Sequence, residues 1–86
     1  MNRTLMIGDE SPIPTLSTSA STFNSATVVR VVNTTASAET LTMINDDAES
    51  VSITVMANSV EFIEKKPTFT IWCSASLRGA KVGFTN

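Results

Sequence analysis

Residues 59–75, SVEFIEKKPTFTIWCSA, carry the pattern that decides the fold. Val60 and Phe62 alternate with Glu61 and point one way, while Ile63 points the other, because successive side chains of a strand take opposite faces. Glu64, Lys65, Lys66 and Pro67 end the run. Pro67 has no amide hydrogen and a fixed φ, so it cannot sit inside a central strand pair. The pattern resumes with Thr70, Ile71, Trp72 and Cys73, β-branched and aromatic residues that suit a pleated, half-buried surface. The stretch therefore reads as two strands joined by a turn. It holds the only Trp, the only Cys and two of the four Phe of the chain.

Strand signals continue on both sides. Residues 27–33 (TVVRVVN) place Val29 and Val31 toward a core and Arg30 on the opposite face with Val28 and Val32. A strand apolar on both faces is central, or has its second face covered. Residues 39–45 (ETLTMIN) put Leu41 and Met43 inward and Thr40 and Thr42 outward. Residues 50–56 (SVSITVM) set Val51, Ile53 and Val55 on one face. Leu77, Arg78 and Gly79 are read as a turn, and residues 80–85 (AKVGFT) as a closing strand with Val82 and Phe84 inward. No apolar pattern of helical period has useful length. Six strands at this spacing, with turn residues between them, predict an all-β chain folded as a small antiparallel β-sandwich.

The N-terminal third reads differently. Residues 3–7 (RTLMI) could form a short strand, ended by Gly8, Asp9 and Glu10, and Pro12 and Pro14 keep residues 11–14 extended or turning. Residues 15–27 (TLSTSASTFNSAT) are low in complexity, with Leu16 and Phe23 as the large apolar side chains. Two readings stay open: a flexible terminus with one anchoring side chain, or an extended arm docking Leu16 and Phe23 on the domain or on a neighbouring subunit. The expected division is an extended, Ser/Thr-rich arm over residues 1–25 and a β-sandwich domain over 26–86.

Composition narrows the function classes. Of 86 residues, 24 are Ser or Thr, the net charge is −2, and 16% are charged, against a usual value of about 25%. Nucleic-acid binding needs a clustered basic surface, and here the adjacent Lys65 and Lys66 are flanked by Glu61 and Glu64. No membrane span or secretory signal is legible, so the chain is expected to be made in a cytosol and to remain soluble. A chain this short gains stability from disulfides, metals or association. One Cys and no His leave association as the expected route.

An enzyme is not expected, because without His no Ser–His or Cys–His dyad exists and no phosphate loop, dinucleotide fingerprint or metal motif is present. Glu61 and Glu64 fall on opposite strand faces and form no local acid–base pair. Asn45, Asp46, Asp47 and Glu49 could offer oxygens to Ca²⁺, but Asn and Asp favour turns through bonds to their own backbone, and the turn reading is adopted. No cofactor is expected. Asn2-Arg3-Thr4 and Asn33-Thr34-Thr35 match the glycosylation pattern and are read as chance matches. Cys73 is read as a small buried hydrophobe and Lys65-Lys66-Pro67 as protecting a strand end. Trp72, which alternates with Ile71 and Cys73, has two readings: an exposed binding residue on the face away from the core or, the favoured one, a side chain covering the second layer of a sandwich.

Taken together, VVRVVN, ETLTMIN, the run from Ser50 through Ser76 and the closing KVGFT resemble the small virion structural proteins of marine tailed bacteriophages. In that family an E-K-x-P-T-D-T-I type step precedes a Ser/Ala-rich strand. Here it reads Glu64, Lys65, Lys66, Pro67, Thr68, Phe69, Thr70, Ile71, with Phe69 where a polar residue is expected, so that this side chain could reach a partner. The resemblance covers about two thirds of the chain. It implies a non-enzymatic capsid decoration protein, assembled in the host cytoplasm into the virion, with the major capsid protein and copies of itself as partners and neither nucleic acid nor membrane. Leu5, Ile7, Ile13, Leu16, Phe23 and Phe69 are the expected partner contacts. The alternatives are a neck, tail or fibre component, or a carbohydrate- or surface-binding β module.

Overall fold

The computed structural model describes residues 3–85, Thr85 by its backbone. Eight strands follow in chain order: β1 (Arg3–Met6), β2 (Ser11–Pro12), β3 (Val28–Asn33), β4 (Glu39–Ile44), β5 (Ser50–Val55), β6 (Ser59–Glu64), β7 (Thr70–Cys73) and β8 (Leu77–Thr85). A 3-10 turn, Ser17–Ser19, lies between β2 and β3. The fold is a small antiparallel β-sandwich. One sheet runs β1-β8-β3-β6 with β2 also on β8, and the other runs β5-β4-β7.

Three strand readings are corrected by this topology. Residues 59–75 are not a hairpin: β6 pairs with β3 and β7 with β4, so the chain crosses from one sheet to the other. Pro67 ends a ladder, as its missing amide requires, but the corner it marks changes sheet. The β3–β4, β5–β6 and β7–β8 connections also cross, and because β3 neighbours β6 and β4 neighbours β7, the β3–β4 and β6–β7 crossings lie side by side. Leu77–Gly79 belongs to β8, and the turn lies earlier, where Ser76 takes φ 52°. This changes the phase of the last strand. Leu77 and Gly79 stand opposite the core-facing Asn33 and Val31, whereas Ala80 and Val82 lie with Arg30 on the outer face. Val82 and Phe84 therefore do not point inward.

The core sits between the sheets, with Val29, Val31, Leu41, Val55, Ile71, Cys73 and Leu77 all at most 3% exposed. Each such aliphatic side chain contributes about 1.5–3 kcal/mol through burial. Met43 and Ile63 are partly buried against this cluster. Val51 and Ile53 share the inward face with Val55 yet stay 69% and 46% exposed, because β5 is an edge strand.

Residues 3–25 lie on the domain. β1 and β2 pair with β8, and farther along Ser21 exchanges both backbone hydrogen bonds with Ile71 of β7. The Cys73 amide also donates to the Pro14 carbonyl. The segment thus straps the edge of one sheet to the edge of the other. Ile13 is 2% exposed inside the core cluster. Phe23 lies over Gly79, where an added Cβ would come 3.0 Å from the Phe23 ring and 3.2 Å from Ile13. Glycine is needed there by close approach. The strap turns through Phe23, Asn24 and Ser25, all left-handed at φ 52–59°.

The β4–β5 turn is closed by Asn45, whose Oδ1 accepts from the amides of Asp47 and Glu49. Ala48 occupies a left-handed position at φ 61°, which glycine adopts without cost. Ala48→Gly is expected to stabilise the chain by about 0.5–1 kcal/mol, read as an upward shift of the urea midpoint at unchanged slope.

Candidate functional site

The two outer sheet faces differ in chemistry. On the three-stranded sheet, inward Ile71 and Cys73 turn Trp72 outward, opposite Thr42. Trp72 is half-buried on the face away from the core, as its alternation with Ile71 and Cys73 allowed, and the favoured reading that it fills the space between the layers is corrected. Thr40, Thr42, Ser52 and Thr54 share its face by register, and the Thr42 and Ser52 hydroxyls lie 2.8 Å apart. That face is polar, as expected of a sheet surface in water.

The outer face of the larger sheet is apolar. Val60, Phe62 and Phe84 are 42%, 44% and 46% exposed, and the Phe62 and Phe84 rings meet at 5.3 Å between centroids. Val28 and Val32 share this face by alternation with buried Val29 and Val31. Ala80 and Val82 form the floor of a depression whose walls include Met6, Glu10 and Arg30. Glu10 bridges Arg30 at 3.6 Å and Arg78 at 3.3 Å, a charged border at one side of the patch. The both-faces-apolar reading of residues 27–33 was the signal for this surface.

A second apolar opening lies between β5 and β6. Leu41, Met43, Val51, Ile53 and Ile63 line a cleft of about 120 Å³. The opposite side of the sandwich is closed by the strap, so the two sides differ.

The expected contact residues divide accordingly. Leu5, Ile7 and Leu16 are 51%, 52% and 62% exposed. Ile13 is committed to the chain's own interior, and of the dockings open to Phe23 it takes the domain itself. Phe69 is half-buried, with the Lys66 ammonium 6.0 Å from its ring centroid. The structure does not gather these six into one patch. The exposed apolar side chains of Val60, Phe62 and Phe84 were not singled out from the sequence.

Glu61 and Glu64 lie on opposite faces of β6 by register. Asn33 is 1% exposed, so the Asn33-Thr34-Thr35 match offers no accessible acceptor; Asn2 lies outside the described residues. Burial raises the Cys73 thiol above its ordinary value of 9.0, and Sγ lies 3.6 Å from the Ile13 carbonyl.

Lys65 is 6% exposed, and its Nζ donates to the Lys66 carbonyl at 3.3 Å. Its pKa is lowered from 10.5, first by burial and then by the charge of Lys81. The charged form is thus disfavoured in the folded chain. At pH below the folded value both states hold the proton and the penalty is complete. As pH rises toward 10.5 the unfolded chain holds more of the proton, and stability rises. Lys65→Met is expected to stabilise the protein by roughly 1 kcal/mol at neutral pH. Its advantage over the unsubstituted chain should shrink as denaturation is repeated toward pH 10.5. Comparing the two proteins removes the opposite contribution of Cys73, whose raised pKa costs stability above pH 9.0.

The chain matches no protein-family model, and neither curated proteins nor solved structures yield a significant match.

Proposed function

We propose that this chain is a non-enzymatic virion structural protein that decorates a phage shell, attaching through the outer face of its larger sheet. The observation that carries the reading is the apolar patch of Val60, Phe62 and Phe84 on a face turned away from the core. Patches of this kind mark interaction sites on soluble domains. The opposite outer face is rich in hydroxyls, which gives the domain one side for attachment and one for solvent. The resemblance of residues 28–84 to small marine-phage virion proteins supplies the partner, the major capsid protein.

Phe84→Asp places a carboxylate in the patch, at a side chain 46% exposed, so the domain should still fold. Under the proposal, the variant no longer co-sediments with shells stripped of the native protein, whereas Thr54→Asp on the hydroxyl face binds normally. Binding of Phe84→Asp equal to that of the parent would reject the attachment face.

A second reading, a carbohydrate-binding module, has Trp72 on the hydroxyl face in its favour, since an aromatic side chain among hydroxyls can stack on a sugar. Saturable quenching of Trp72 fluorescence by a glycan would favour it, and unchanged emission across a glycan panel would count against it.

A further inference from the structure

We infer that copies of this chain join head to tail, β1 of one copy extending the larger sheet of the next beyond β6. The inference rests on strand geometry and holds whether or not the particle reading does. Among the described residues, no strand pairs with the outer edge of β1 or of β6. An unpaired edge is a template for strand addition. The four strands β1-β8-β3-β6 alternate in direction, so β1 and β6 run oppositely. A second copy in the same orientation therefore presents β1 antiparallel to β6.

Backbone phase agrees. The Ile7 amide donates to the Lys81 carbonyl, so alternation turns the backbone groups of Thr4 and Met6 outward. On β6 the Lys65 amide donates to Thr27, which turns those of Val60, Phe62 and Glu64 outward. The outward-facing residues of both strands lie on the outer face of the sheet, so pairing them also matches the two faces. Met6 opposite Phe62 then joins two exposed apolar side chains, 85% and 44%, and brings Leu5 opposite Ile63. In this pairing Leu5 of the added copy lies over the cleft of Leu41, Met43, Val51, Ile53 and Ile63, whose volume of about 120 Å³ suits one aliphatic side chain.

Two β6 strands side by side would bring the Glu61 and Glu64 carboxylates of both copies near one another. β1 instead carries no acidic residue and sets Thr4 opposite Glu64, with Arg3 opposite Lys65 as the one like-charge pair of this register. The contact uses different surfaces on the two copies. It therefore builds a ring if the rotation closes, and a filament otherwise.

The test is the solution mass of the full chain by light scattering, with two edge variants. Thr4→Pro and Glu64→Pro each remove an outward amide while leaving intact the bonds to β8 or β3. The parent is expected at a multiple of 9.2 kDa and each variant as a monomer. Mixed together, the variants should form a dimer and stop there, because each retains the surface the other has lost. A parent that stays monomeric to about millimolar concentration overturns the inference without any variant. So does an oligomer that survives both substitutions, or a mixture that remains monomeric when circular dichroism shows both variants folded.

Discussion

A chain lacking residues 1–25 is expected to lose cooperative folding. The truncation removes β1 and β2 from β8, the Pro14 and Ser21 bonds from β7, and Ile13 from the core. Replacing a buried aliphatic side chain with Ala costs about 2–5 kcal/mol, and a domain of this size has roughly 5–10 kcal/mol in total. Loss of Ile13 alone consumes much of that margin, and Gly79, made for the close approach of Phe23, is left beside a void. Ile13→Ala should melt cooperatively at lower temperature with a loss of about 2–4 kcal/mol, and Ile13→Asp should not fold. Thermal unfolding by circular dichroism checks all three. A truncated chain melting within a few degrees of the parent would show that the strap is dispensable and that residues 1–25 form a separable arm.

The second large effect is expected at Asn33. Its side chain, 1% exposed, makes four hydrogen bonds. Nδ2 donates to the Ser37 carbonyl at 2.8 Å and the Val55 carbonyl at 3.1 Å, and Oδ1 accepts from the Thr35 amide and hydroxyl. The group therefore shapes the crossing after β3 and ties it to the end of β5 in the other sheet. Asn33→Leu has similar bulk but deprives buried groups of partners, at about 1–3 kcal/mol for each one left unsatisfied. With partial relief from water at the exposed Ser37, a loss of about 2–4 kcal/mol is expected, read as a lower urea midpoint. Asn33→Asp keeps the acceptor but loses both donors and buries a charge, so it should be no better. A loss below about 1 kcal/mol for Asn33→Leu would mean that this network is not what fixes the crossing.

Much of the sandwich was legible because period-two alternation reports faces directly. Val29, Val31, Leu41 and Val55 point inward as read from the sequence. Alternation says nothing about neighbours, however, which is why 59–75 looked like a hairpin when its halves belong to different sheets. The phase of β8 was lost for a related reason. Its inward positions include Gly79, which buries no side chain of its own but makes room for Phe23 and Ile13. A glycine in that position resembles a turn in sequence.

The strap was hidden more deeply. It is held by backbone bonds, which any sequence can make, and by Ile13, flanked by two prolines that announced only an extended or turning segment. The apolar outer face was half legible, since Val28 and Val32 announced it, but the register that sets Phe62 beside Phe84 depends on three strands at once.

The most direct test of the shell-decoration reading is a count of this chain against the major capsid protein in purified particles, by quantitative mass spectrometry. The proposal predicts one copy per capsid subunit, or a simple fraction such as one third. A handful of copies per particle would contradict shell decoration in favour of a neck or tail position, and absence from the particle would contradict the virion reading altogether.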